Sequence, residues 1–184
     1  MAELSFVYRL PRQIESEFPG NTIISVLQAR TRKLWDAGTL DVPVLGLSAP
    51  LKNALIAARR CGRIVRGLEE ATATLDKEGR GIDLLKQHAA QGKRVSRLML
   101  LADDGSNHFY RNAERLLEKH APRVLGCVVE ADSFSLGSLL FGPETAAKLV
   151  LVCHKDDVVR LLLALMAGGD EQQAVQHEKN GCTF

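Results

Sequence analysis

The sequence predicts an α/β fold, and three observations carry that prediction. Unbroken apolar runs stand at residues 98–102, 124–129 and 149–153. Segments of helical periodicity follow them, at residues 108–120, 134–141 and 156–166. Turn-forming residues such as Asp103-Asp104-Gly105 punctuate the alternation. Apolar runs without polar alternation mark strands buried on both faces, and helices are what cover such faces. Residues 96–166 therefore read as a βαβαβα unit, which the rest of the chain must extend or pack around.

Composition sets the outer bounds. A chain of 184 residues, 46% hydrophobic and 25% charged, can bury one substantial core. No apolar run approaches the ~20 residues of a membrane span. The N-terminus lacks a basic region followed by an apolar one, so no secretory signal is expected. Cys61, Cys127, Cys153 and Cys182 form no Cys-x-x-Cys pair. Cys127 and Cys153 lie inside apolar runs, where a thiol behaves as a small hydrophobe. A reducing, cytoplasmic setting is expected.

In chain order, residues 4–10 alternate weakly and read as an edge strand that Pro11 ends. Residues 18–21 form a turn. Residues 22–37 read as one helix with an apolar stripe of Ile23, Ile24, Leu27, Leu34 and Trp35, capped by Asn21 or Thr22 and closed by Gly38. Residues 42–47 suit a short strand, with Pro43 favouring an edge. Residues 50–60 form a helix with Pro50 in its first turn and Arg59 and Arg60 in its last, as the helix dipole prefers. A short extended piece at residues 64–65 lies between Gly62 and Gly67. The next helix covers residues 68–77, Gly79-Arg80-Gly81 reads as a hinge, and a short helix covers residues 83–90. Ala167-Gly168-Gly169 should stop the last helix, leaving a frayed tail. The expected organisation is an N-terminal extension (1–49, helix plus short strands), a main domain (50–168) and a flexible tail (169–184).

The net charge of +2 is unevenly spread. Residues 52–97 carry eleven Lys/Arg and five Asp/Glu, whereas residues 98–184 carry eight and twelve. A local basic excess is either a solvated helix face or the footprint of a polyanionic partner. Arg59, Arg60, Arg63 and Arg66 gather around Gly62 and Gly67 at a helix-strand-helix junction. The helix opened by Gly67 offers free N–H groups to a phosphate. Glu69 and Glu70, in its first turn, would repel phosphates but could accept hydrogen bonds from base amino groups.

Other candidates carry less. Asp103 and Asp104 at a strand's C-terminal end could hold Mg²⁺. The reading preferred here is a turn, with Ser106 or Asn107 capping the following helix. Cys153-His154 follows the last apolar run, and because neighbours in extended chain point to opposite faces no catalytic dyad is expected of the pair. The five histidines lack metal-ligand spacing and no serine sits in a Gly-x-Ser-x-Gly context. No enzyme, metal or cofactor is expected.

The order of these pieces resembles the ribosomal L7Ae/L30e family, and most closely its small bacterial, YlxQ-like RNA-binding members. Residues 57–70 match the family's Gly-x-hydrophobic-x-x-Gly segment, whose second glycine opens a helix beginning with acidic or amide residues. Ala102-Asp103-Asp104-Gly105-Ser106-Asn107 matches its acidic-pair strand end. Residues 133–142, with Leu136-Gly137, match its short helix, and residues 149–166 its last strand and helix. The similarity covers about residues 50–166. It implies a three-layer α-β-α sandwich around a mixed sheet, L30e-like, with an N-terminal extension. It also implies binding of kink-turn or related structured RNA, near the ribosome. The implied contacts are Gly67, Glu69 and Glu70 on the first element, and the loop from Gly142 through Thr145 to Ala147 on the second. Arg59, Arg60, Arg63 and Arg66 would position phosphates.

The sequence departs from the family at three places: Ala73 replaces a basic residue, Glu144 sits in the second loop, and residues 80–92 are inserted. These departures motivate an alternative, a protein-interaction module that has lost RNA binding and uses the insertion and the N-terminal segment. A small phosphate- or Mg²⁺-binding enzyme built on Asp103 and Asp104 is the third reading.

Overall fold

The computed structural model describes residues 9–18, 22–85 and 93–179. The elements are α1 (Arg12–Glu17), α2 (Thr22–Ala29), β1 (Thr31–Lys33), β2 (Asp41–Leu45), α3 (Ala49–Arg60), β3 (Ile64–Arg66), α4 (Leu68–Leu85), β4 (Arg97–Leu101), α5 (Asn107–Lys119), β5 (Val124–Val129), α6 (Ser133–Phe141), β6 (Leu149–Val152) and α7 (Lys155–Lys179). The strands form one mixed sheet in the order β1-β2-β5-β4-β6-β3. β2, β5 and β4 run parallel; β6 is antiparallel to β4 and β3, and β1 to β2.

The apolar runs are central and buried on both faces, as a parallel strand core requires. In β5, Leu125, Cys127 and Val129 face one core while Val124 and Val128 face the other. The first core is closed by α1, α2, α3, α6 and α7, and the second by α4 and α5. That is a three-layer α/β sandwich. Gly126 carries no side chain because Leu117 of α5 fills the space a Cβ would need. Burial pushes the Cys127 thiol pKa far up, in keeping with its role as a small core hydrophobe.

Three local expectations are corrected. The helix expected over residues 22–37 ends at Ala29, and the chain bends at Arg30 into β1. Its apolar stripe is thereby split: Ile23 and Leu27 reach the first core, Leu34 the second. Buried Glu114 then holds the following loop, accepting Trp35 Nε1–H at 2.5 Å and the N–H groups of Thr39 and Leu40 at 2.9 and 2.8 Å. The hinge expected at Gly79-Arg80-Gly81 is instead the interior of α4. That part of the helix is tied down from outside: Glu78 accepts from Arg97 and Arg123, and Asp76 from His120. The last helix does not stop at Ala167 but continues to Lys179.

Two further expectations concern the N-terminal region. Pro43 does not mark an edge strand: β2 lies between β1 and β5, and its ladder to β5 begins at Val44, directly after the residue that has no N–H to give. Residues 12–17, for which no helix was expected, form α1, and its Ile14 joins the first core. The strand expected at residues 4–10 lies largely outside the described residues, as do parts of the turn at 18–21, the short helix at 83–90 and the tail.

Candidate nucleic-acid interface

The arginine cluster is built by how α3 ends. Ser48 caps its start, accepting from Leu51 N–H. At its end, Gly62 adopts φ +67°, the Gly62 N–H reaches Arg59 O and the Arg63 N–H reaches Ala58 O, each at 3.0 Å. These paired bonds are a Schellman closure, which needs a residue with positive φ. The turn delivers Arg63 to the base of β3 and leaves Arg59 and Arg60 exposed.

The four arginines are not equivalent. Arg63 Nη1 lies 3.2 Å from Oδ2 of Asp157, a carboxylate only 1% exposed in the first turn of α7. Arg160 holds the other oxygen of the same carboxylate, also at 3.2 Å. Arg63 is therefore engaged in a structural pair. Arg59 and Arg66 face the Phe141 ring instead, with guanidinium carbons 5.1 and 5.4 Å from its centroid. Among the described residues, Arg59, Arg60 and Arg66 have no carboxylate partner, so their donors stay available.

β3 ends at Gly67, which has φ +89°, donates its N–H to Leu149 O and accepts from Ala71 N–H as the first link of α4. A Cβ at Gly67 would meet nothing, so its backbone faces open space. Glu69 and Glu70 follow, both exposed.

The second loop is fixed from α6. Asp132 caps this helix, accepting Ser135 N–H at 2.6 Å, and that bond holds its carboxyl below the usual carboxylate range. Asp104 accepts both the N–H and the hydroxyl of Ser133. The helix closes at Gly142, φ +101°. Residues 143–147 then fold back over α6. Ala147 donates its N–H to Ser133 O at 2.7 Å, and a Cβ on Gly137 would overlap Thr145 O. Glu144 turns this loop with φ +62°, an uncommon conformation for a residue with a side chain.

The structure thus brings both sequence-defined segments to one place. Phe141, directly before Gly142, carries the guanidinium groups of Arg59 and Arg66, and Arg66 directly precedes Gly67. In sequence Phe141 is marked only as an aromatic at the end of an apolar helix, immediately before a capping glycine. Asp103 and Asp104 lie in a turn, Ser106 caps α5 by accepting Phe109 N–H, and Asp104 is used on Ser133. Cys153 and His154 are each bonded elsewhere: half-buried Cys153 donates its thiol to Leu151 O, its pKa pushed up to about 11 chiefly by burial, and His154 accepts from Asp156 N–H. Among the described residues, no three His, Cys, Asp or Glu side chains are grouped so as to hold a metal, and no helix is long and apolar enough to cross a membrane.

No protein-family model and no curated protein matches the chain. Among solved structures it is similar to a protein of unknown function from Bacillus halodurans C, at 13% identity and TM-score 0.47, over 65% of this chain and 99% of that one. It is also similar to the Giardia lamblia 15.5kD RNA binding protein, at 13% identity and TM-score 0.45, over 67% and 88%. Neither likeness, at this identity and score, assigns a function here.

Proposed function

We propose that this chain is a non-catalytic protein that binds structured RNA of the kink-turn type, ribosomal RNA included, across the face centred on Phe141. The observation that carries the reading is the pair of guanidinium groups on the Phe141 ring. Cation–π attraction positions them at a cost smaller than an ion pair would impose, and leaves their N–H donors for phosphate. Arg60 adds a third free cation. Gly67 and Gly142 present backbone without side chains, which allows close approach of a nucleic-acid strand. Glu69 and Glu70 are exposed acceptors beside these cations, suited to base amino groups and not to phosphates.

The test is binding of a kink-turn RNA and of an unkinked duplex, each at two salt concentrations, with Arg66→Ala and Glu70→Ala beside the parent. Arg66→Ala should weaken both RNAs alike and make the salt slope shallower by up to about one unit. Glu70→Ala should keep or improve duplex binding and lose preference for the kinked RNA. A parent that binds neither RNA at moderate salt, or prefers neither, overturns the reading in favour of a protein-interaction module.

A further inference from the structure

We infer that Phe134 is a stacking platform for an unpaired base, at the far end of the face just described; this rests on the RNA-binding reading. A lone exposed aromatic is ordinary on a protein surface. This one is distinguished by where it stands and by how firmly it is held. Phe134 is 54% exposed in the first turn of α6. Phe141 stands seven positions further on, about two helical turns, so both rings project from nearly the same side of α6, about 10 Å apart along the axis.

The loop of residues 143–147 returns along α6, with Thr145 O over Gly137 and Ala147 N–H on Ser133 O. The exposed loop residues Pro143, Glu144 and Ala146 therefore lie along α6 between its end, where Phe141 carries Arg59 and Arg66, and its start, where Phe134 is exposed. The residue before Phe134 is fixed on three sides. Ser133 gives its N–H and hydroxyl to Asp104, and its carbonyl oxygen accepts Ala147 N–H. The Asp132 cap on Ser135 locks the other side. A ring presented to solvent by a rigid turn loses little freedom when a base covers it. Base–aromatic stacking is worth enough to set the affinity of single-stranded and looped RNA. A strand whose phosphates lie on Arg59 and Arg66 reaches Phe134 by following the loop along α6, and there an unpaired base can turn onto the ring.

The experiment uses the full chain and kink-turn RNAs that each carry 2-aminopurine at one unpaired position, with a fully paired duplex as control. Parent, Phe134→Leu and Phe134→Trp are compared. Because the side chain is exposed, all three should melt alike. For the parent and Phe134→Trp, one unpaired position should change fluorescence on binding. For Phe134→Leu that change should vanish and affinity for the looped RNA should fall roughly ten- to one-hundredfold, while duplex binding and the salt slope stay as in the parent. Parent-like affinity and fluorescence in Phe134→Leu overturns the inference and leaves the RNA reading standing. Equal losses on looped RNA and duplex overturn it too, because they show a bulk contact. A parent that binds no RNA removes both.

Discussion

Asp104 holds Ser133 by two hydrogen bonds, accepting its backbone N–H at 2.9 Å and its hydroxyl at 2.7 Å. The turn after β4 is thereby tied to the start of α6, and through Ala147 to the loop of the candidate interface. Asp104→Ala would leave two polar groups of a buried serine without partners, at a cost of about 1–3 kcal/mol. Asp103→Ala, which removes an exposed carboxylate in the same turn, should change stability by no more than about 0.5 kcal/mol. Denaturant melts of the two variants check the contrast. Amide shifts of residues 102–107 should also stay in place when millimolar Mg²⁺ is added. Saturable local shifts would restore the metal-binding reading of the pair.

The Asp132 cap gives α6 a pH dependence of known sign. Accepting the Ser135 N–H lowers its carboxyl pKa in the folded state. The stabilisation is therefore fully present above the ordinary carboxylate range and is lost as pH falls through the depressed folded value. Asp132→Asn keeps a capping oxygen and removes the titration. Relative to that variant, the parent should lose melting temperature only below the usual carboxylate range. A parent–variant difference that is constant with pH would show that the cap does not titrate as described.

A methyl group at Gly137 would collide with the backbone of Thr145 and Ala146, which cannot rotate away as a side chain could. Gly137→Ala should cost about 1–3 kcal/mol and displace residues 143–147. Amide shifts confined to this loop and the α6 start, together with a lower melting temperature, are the expected signs. An unperturbed loop would mean that it does not lie against α6.

The strand assignment has a simple test. Val128 lies between Leu101 of β4 and Val44 of β2 and is 1% exposed. Val128→Asp places an unpaired charge in the core and should destabilise by about 4 kcal/mol or more, enough to unfold the domain. A soluble variant that melts like the parent would contradict the sheet order.

The parts legible in the sequence were those set by local pattern. Strands β4, β5 and β6 announce themselves because burial on both faces excludes polar residues, and the turn at Asp103-Asp104 because its residues cap and bend. The misses have a common cause. Helix α2 ends early because its distal stripe belongs to the opposite face of the sheet, a fact that periodicity does not encode. Helix α4 survives two glycines because Arg97, His120 and Arg123 grip it from elsewhere in the chain. Within the site, the arginines could be listed but not ranked, and Phe134 and Phe141 read as ordinary helix residues. Which cation finds a carboxylate and which finds a ring depends on partners far away in sequence.

That ranking yields the sharpest prediction. Arg63 and Asp157 are 94 residues apart in sequence and paired in space. Arg63→Ala leaves a carboxylate that is 1% exposed with Arg160 as its remaining cation. Breaking a fully buried pair costs about 3–5 kcal/mol. The Arg63 side chain is 36% exposed and Arg160 still serves Asp157, so the cost here should be lower, about 1–2 kcal/mol. Arg66→Ala removes a guanidinium whose described partner is the Phe141 ring, and stability should change by no more than about 1 kcal/mol. The RNA readout should invert this order. Arg66→Ala should reduce the salt slope by up to about one unit, whereas Arg63→Ala should leave the slope unchanged at temperatures where it remains folded. Chemical melts and RNA titrations at two salt concentrations on the same two variants decide it. A basic patch of four interchangeable arginines predicts equal slopes for both, and that outcome would return Arg63 to the interface.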